Sequence, residues 1–463
     1  MSRIICIMAI LLIMAGNNTA EGKGATMRPY PGGRCYMMRL ALRDKAHSIC
    51  SLECPQDFLS AKAIERRRRQ NLQIDSTDLP ISPVYINMIK GSGMEIVTQS
   101  KWNNTVVVKS KSMQALRTVA KMPFVRSSCI VWKSPDSIAD RKQALNIREQ
   151  RSSMTETERA SEYGMTEEQV KMLGGETLHG RRYQGEGMTI AVLDGGFMNV
   201  DRIKAFKDVR IVGTADFVHP KSKNIFRELD HGTKVLSAMA VNIPGYYKGT
   251  APNAGYWLLR CEDGETEQLV EEDYWAAAAE YADSVGVDII SSSLGYHVFD
   301  HKEMSHKYKD LDGEKSVCSH AASLLASKGI VMVSSAGNDG MDSWKKISVP
   351  ADAKNIITVG AVTPQRTNAA FSSIGPTADG RVKPDVMAAG SPAAVITGRG
   401  TMLNDMGTSF AAPQIAGLVA CLWQSMPQKT ALEIIDTVRQ MGDNAENPDN
   451  IYGYGIPDFS RKR

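Results

Sequence analysis

The chain has 463 residues, more than one typical domain needs, so two or three folded units are expected. Its 55 Lys and Arg nearly balance 51 Asp and Glu, leaving a net charge of +4, which gives no support by charge alone to nucleic-acid binding. With 43% hydrophobic residues, sizeable cores can be buried.

The first 24 residues carry a basic start at Arg3, an apolar stretch from Ile4 to Met14, then small and polar residues. This reads as a secretory signal peptide over 1–20, cut near Ala20. The apolar run is short for a membrane span, and no other stretch suffices, so the mature protein is expected to be exported and without a span. Without Cys6, seven cysteines remain. Cys35, Cys50, Cys54 and Cys129 could form two disulfides in an oxidising compartment, while Cys421 reads as a small core residue.

Residues 21–135 read as a small α+β unit. The basic run "ERRRRQ" at 65–70 reads as a solvated helix face. "PVYINMIKGSGMEIV", "NNTVVVKS" and "FVRSSCIVW" read as strands, and "SKSMQALRTVAKM" as a helix closed by Pro123. The charged, Ser-rich stretch 136–160 reads as an exposed linker.

From Met188 the pattern changes. Continuous apolar runs ("MTIAVLDGG", "GYWLLRCED", "GVDIISSSLG", "GIVMVSSAGN", "NIITVGAV") alternate with helix-like stretches. Such runs imply a parallel sheet covered by helices on both faces, an α/β fold over 161–463. Chemistry in such sheets gathers beyond the carboxyl ends of the strands. There stand Asp194, His231, Asn338 and Ser409, in that order. Singly they read as a turn aspartate, a packed histidine, a turn asparagine and an N-cap, with Pro413 in the first helical turn. Together they suit acyl transfer. A serine hydroxyl needs a base, histidine can be that base, and a buried carboxylate fixes the imidazole tautomer. The Asn338 amide and the Ser409 N–H would hold the oxyanion.

The order Asp, His, Ser and the motifs "AVLDGGF", "HGTKVLSAMA", "SSAGN" and "GTSFAAP" resemble the subtilisin-like serine protease family, over about residues 162–457. More narrowly, "RCEDGETEQLVEEDYWAAAAEYADSVGVDIISSSLGY" is similar to secreted members from Bacteroidetes-type bacteria. The resemblance implies a secreted endopeptidase acting on polypeptides. It implies that Ser293, Leu294 and Gly295 pair with substrate backbone, and that Ser335, Ala336 and Gly337 complete the walls of the main specificity pocket. It also implies that the N-terminal unit serves as intramolecular chaperone or inhibitor and is cut away within 136–160. No cofactor is required. The high-affinity calcium loop of the family is absent after His231, and weaker structural calcium is left open. Two departures stand out: Lys234 where a second histidine is common, and Gly195 where Ser or Thr follows the aspartate. The alternatives are a non-catalytic peptide-binding protein on the same fold, and an esterase. The esterase is disfavoured because no G-x-S-x-G surrounds Ser409.

Overall fold

The computed structural model describes residues 27–29, 33–139, 161–222 and 224–461. The signal peptide and most of the linker lie outside these.

The N-terminal unit runs β1 (Met27–Pro29), β2 (Tyr36–Leu42), α1 (Ala61–Arg69), α2 (Pro83–Gly91), β3 (Glu95–Ser100), β4 (Thr105–Ser110), α3 (Met113–Val119), β5 (Val125–Lys133) and β6 (Ser137–Ala139). Four strands form an antiparallel sheet in the order β3-β4-β2-β5, and β1 pairs with β6. Alternation along β2 and β4 sorts the side chains by face. Met38, Leu40, Val106 and Val108 enter a core with Ile89 of α2 and Leu116 of α3. Met37 and Val107 face the other way and join the core of the larger unit.

The larger unit continues with α4 (Glu167–Met172), α5 (Gly175–Gly180), β7 (Thr189–Asp194), β8 (Ile211–Asp216), α6 (His231–Ala240), β9 (Asn242–Ile243), β10 (Tyr247–Lys248), β11 (Gly255–Arg260), α7 (Val270–Val285), β12 (Ile289–Ser292), α8 (Val317–Leu324), β13 (Val331–Ser335), β14 (Ile357–Val362), β15 (Val386–Ala389), β16 (Ala393–Ile396), β17 (Met402–Asp405), α9 (Thr408–Ser425) and α10 (Ala431–Gln440). Seven strands form a parallel sheet in the order β15-β14-β13-β12-β7-β11-β8. Along β7, Ile190 and Val192 face the core under α6 and α9, while Ala191 and Leu193 face the core under α7 and α8. The expected α/β fold, with helices on both faces and an α+β unit before it, is what forms.

Four local readings are corrected. Residues 83–91 are helical rather than extended: Ser82 precedes Pro83 at the first helical position, and Tyr85 and Ile89, one turn apart, bury one face. The basic run is only half solvated. Glu65 and Arg68 pair at the surface, whereas Arg66 and Arg67 are buried with their ion partners. The seven cysteines of the described residues are free thiols. Cys129 stands opposite Arg39 on the neighbouring strand, four positions along from Cys35, about 13 Å and beyond disulfide reach. Pro413 lies in the second turn of α9, not the first.

The two units share a dense polar contact along α7. Asp273, Glu280 and Asp283 lie on one helical face and are buried. Arg39 of β2 grips Asp273 with two hydrogen bonds of 2.6 Å. Glu280 accepts from Ser100 Oγ (2.5 Å) and from the backbone N–H groups of Lys101 (2.7 Å) and Trp102 (3.0 Å). Asp283 takes Arg66 and Arg67 together, and Arg67 also reaches Asp78 at 2.9 Å.

Candidate active site

Asp194 ends β7, an interior strand between β12 and β11, and is fully buried. Its Oδ1 accepts from the N–H of Gly195 at 2.8 Å, and its two oxygens lie 3.1 and 3.0 Å from His231 Nδ1. His231 is the first residue of α6, so its position is set by the helix that packs on the sheet face. Its outer edge is open, with 35% of the side chain exposed. Burial alone would lower its pKa, but the charge and hydrogen bond of Asp194, with Glu262 adding, raise it to about 9.

Ser409 is the second residue of α9 and its side chain does not cap the helix; the N-cap is Gly407. Pro413 explains a neighbouring contact. Without an N–H, it cannot bond the Ser409 carbonyl one turn back. That carbonyl instead accepts from Ser293 Oγ at 2.8 Å, which ties α9 to the end of β12. The Ser409 hydroxyl makes only a long contact, 3.4 Å, to the Ser293 carbonyl. Phe410 packs beside the His231 ring, centroids 5.9 Å apart.

Asn338 follows β13. Its Oδ1 accepts from Thr408 N and Thr408 Oγ1, both at 3.0 Å, so the side-chain amide is oriented with its two N–H donors free. Thr408 Oγ1 also lies 3.2 Å from the Gly337 carbonyl, binding the loop after β13 to the start of α9. Gly337 has φ of +106°, a conformation that favours glycine, and the chain turns sharply there.

His231, Ser409, Asn338, Ser293, Leu294, Gly295, Ser335 and Gly337 line one cleft of about 330 Å³. Asp194 stands behind His231, and Ala336 is fully buried in the core below. Sequence reading missed Glu262, His297, Asp339 and Ser348, which also line the cleft. Asp339 was adjacent to a chosen motif. Glu262 had a signal too, since it directly follows an apolar strand run. Among the described residues no three His, Cys, Asp or Glu side chains gather as a metal-binding group.

A family model described as the subtilase family, peptidase S8, matches residues 185–455. The chain belongs to the subtilase family. A second model, the peptidase S8 propeptide domain of Bacteroidota, matches residues 37–151, so this subtilase is a precursor with a propeptide domain. Serine protease AprX of Bacillus subtilis strain 168 is 30% identical over 309 residues, 60% of this chain and 66% of AprX, just under two thirds of its length. Subtilisin DY of Bacillus licheniformis is 25% identical over 289 residues, 62% of this chain and 93% of that one. The alkaline protease of Alkalihalobacillus alcalophilus is 25% identical over 369 residues, 78% of this chain and 86% of its own.

Proposed function

We propose that the chain is the precursor of a secreted serine endopeptidase that hydrolyses polypeptides through an acyl-enzyme. The observation that carries this reading is the cleft that joins His231, Ser409 and Asn338, with Asp194 bonded to the far side of the imidazole. Ser409 Oγ leaves the Ser293 carbonyl, gives its proton to His231 Nε2 and attacks the substrate carbonyl. Asp194 holds the ring in the Nδ1–H tautomer and stabilises the imidazolium. The free donors of Asn338 and the Ser409 N–H receive the oxyanion. His231 then returns the proton to the leaving amine, and water repeats the sequence to release the acyl group. The scheme calls on no metal or cofactor.

The substrate lies as an added strand against Ser293, Leu294 and Gly295, and the side chain on the acyl side of the cut enters between these residues and Ser335 and Gly337, with Ala336 packed in the core beneath. The chain divides into a signal peptide (1–20), an N-terminal chaperone or inhibitor unit (21–135), a linker that is cut (136–160) and the peptidase domain (161–463). Export is supported by the signal-like leader; among the described residues no helix is long and apolar enough to cross a membrane.

The test is hydrolysis of an unstructured protein such as casein. The wild type should cleave it, and Ser409→Ala should lose essentially all turnover. Wild type that binds casein without cutting it would favour the peptide-binding alternative.

A further inference from the structure

Glu262 occupies a position that the mechanism above does not use. It follows β11 by two residues, and the parallel register sets Arg260 beside Asp194, so Glu262 stands over the end of β7. Its side chain lines the same cleft as His231. Burial, with the charge of Asp194 adding and His231 opposing, pushes its pKa up to about 7.

No donor among the described residues bonds its carboxylate. The guanidinium closest in sequence, Arg260, is committed elsewhere: Nε donates to the Gly195 carbonyl (3.1 Å) and Nη1 to Asp216 (3.1 Å). The contrast with Asp339, the other acidic residue of the cleft besides Glu262, is direct. Asp339 has the Ser373 hydroxyl at 3.5 Å and His297 Nε2 at 3.8 Å.

Gly195, the departure noted in the sequence, belongs to the same arrangement. A Cβ at 195 would stand 2.7 Å from Glu262 Oε2 and 3.0 Å from Leu229 Cδ1. Glycine therefore leaves room for the carboxylate to lie against the strand end. It also shows that the carboxylate and an apolar side chain, 36% exposed, flank one spot. An acidic group beside an exposed aliphatic one fits a long apolar stem that ends in a cation.

We infer that Glu262 is a specificity-determining residue that recognises a lysine or arginine side chain at the substrate position immediately before the residue whose carbonyl is attacked. The geometry follows from an extended substrate. Neighbouring side chains of a strand point to opposite faces. If the acyl residue enters between Gly295 and Gly337, the residue before it faces the opposite wall, which His231 and Glu262 form. The incoming cation supplies the partner that the half-buried carboxylate lacks.

The inference rests on the endopeptidase reading, and the test separates the two. Quenched-fluorescence peptides identical except at that position, carrying Lys, Arg, Leu, Ala or Glu, are assayed with the purified wild type, Glu262→Gln and Glu262→Asp. The readout is the ratio of kcat/KM for a basic residue to kcat/KM for leucine. The wild type should show a ratio of about 10 to 100, the range expected of one charge-assisted hydrogen bond. Glu262→Gln should collapse it towards 1, and Glu262→Asp should retain part of it. A second panel varied just after the scissile bond should show no such dependence on Glu262. A flat wild-type profile, a ratio that survives Glu262→Gln, or a dependence confined to the second panel would overturn the inference and leave the endopeptidase standing. Cleavage of no peptide in either panel, by a chain that also fails to label at Ser409 with a fluorophosphonate, would overturn both.

Discussion

At the scale of single residues, the proposed chemistry turns on the protonation of His231. Asp194 holds the imidazolium strongly enough to outweigh burial and lift its pKa to about 9. A general base must be neutral, so kcat/KM is expected to rise with pH and to level off only above about 9. Glu262 contributes negative charge to that lift, so Glu262→Gln should move the rising limb to lower pH. A pH profile of both proteins checks this, and a limb near 6.5 in both would contradict it. The candidate residues themselves were legible in the sequence, because each of Asp194, His231, Asn338 and Ser409 sits at a strand end or helix start inside a recognisable motif. Glu262 was not picked out. Its place depends on β11 lying beside β7, and sheet order is a long-range property that no local pattern encodes. The Ser409 cap was misread for a related reason. The motif shows a helix start but not that Gly407 caps it.

At the scale of elements, local patterns found most strands of the parallel sheet, since each is a continuous apolar run buried on both faces. They failed in the N-terminal unit, once for a helix in its own core and once where burial came from the other unit. The β-branched Val84 and Ile86 suggested a strand, yet Pro83 and the Tyr85–Ile89 pair made α2. "ERRRRQ" suggested a wet face, yet Arg66 and Arg67 meet Asp283, more than two hundred residues on. Arg66 also donates to the carbonyls of Val287 (2.6 Å), Lys328 (3.0 Å) and Asp283 (3.3 Å), so four hydrogen bonds hold the guanidinium. Removing the carboxylate would strand the buried Arg66 cation and leave Arg67 to Asp78 alone. Asp283→Ala, made in the Ser409→Ala background so that cleavage cannot intervene, is expected to cost about 3–5 kcal/mol in urea unfolding. A loss below about 1 kcal/mol would show that this contact is incidental to the stability of the precursor.

At the scale of the whole molecule, the propeptide domain is docked rather than tethered. One face of its sheet carries Met37, Val107 and Trp132, and the β3–β4 turn carries Trp102, into the core beneath α7 and α8, and the acidic face of α7 takes its arginines. This contact gives a physical basis for an intramolecular chaperone: it covers carboxylates of α7 that would otherwise need water. The sequence showed two units and a charged stretch between them, but could not show that their cores merge. If the precursor processes itself, intact-mass spectrometry should find wild type beginning between Ser134 and Glu162, and Ser409→Ala at full length apart from its leader. Equal cutting of both would assign maturation to another protease.

The most direct test of the central claim is covalent labelling of Ser409. The purified wild type, treated with a fluorophosphonate and digested, is expected to carry one adduct, on the peptide that contains Ser409. The adduct should be absent from Ser409→Ala and strongly slowed in His231→Ala. No adduct, or an adduct on another serine that persists in Ser409→Ala, would contradict a serine nucleophile in this cleft.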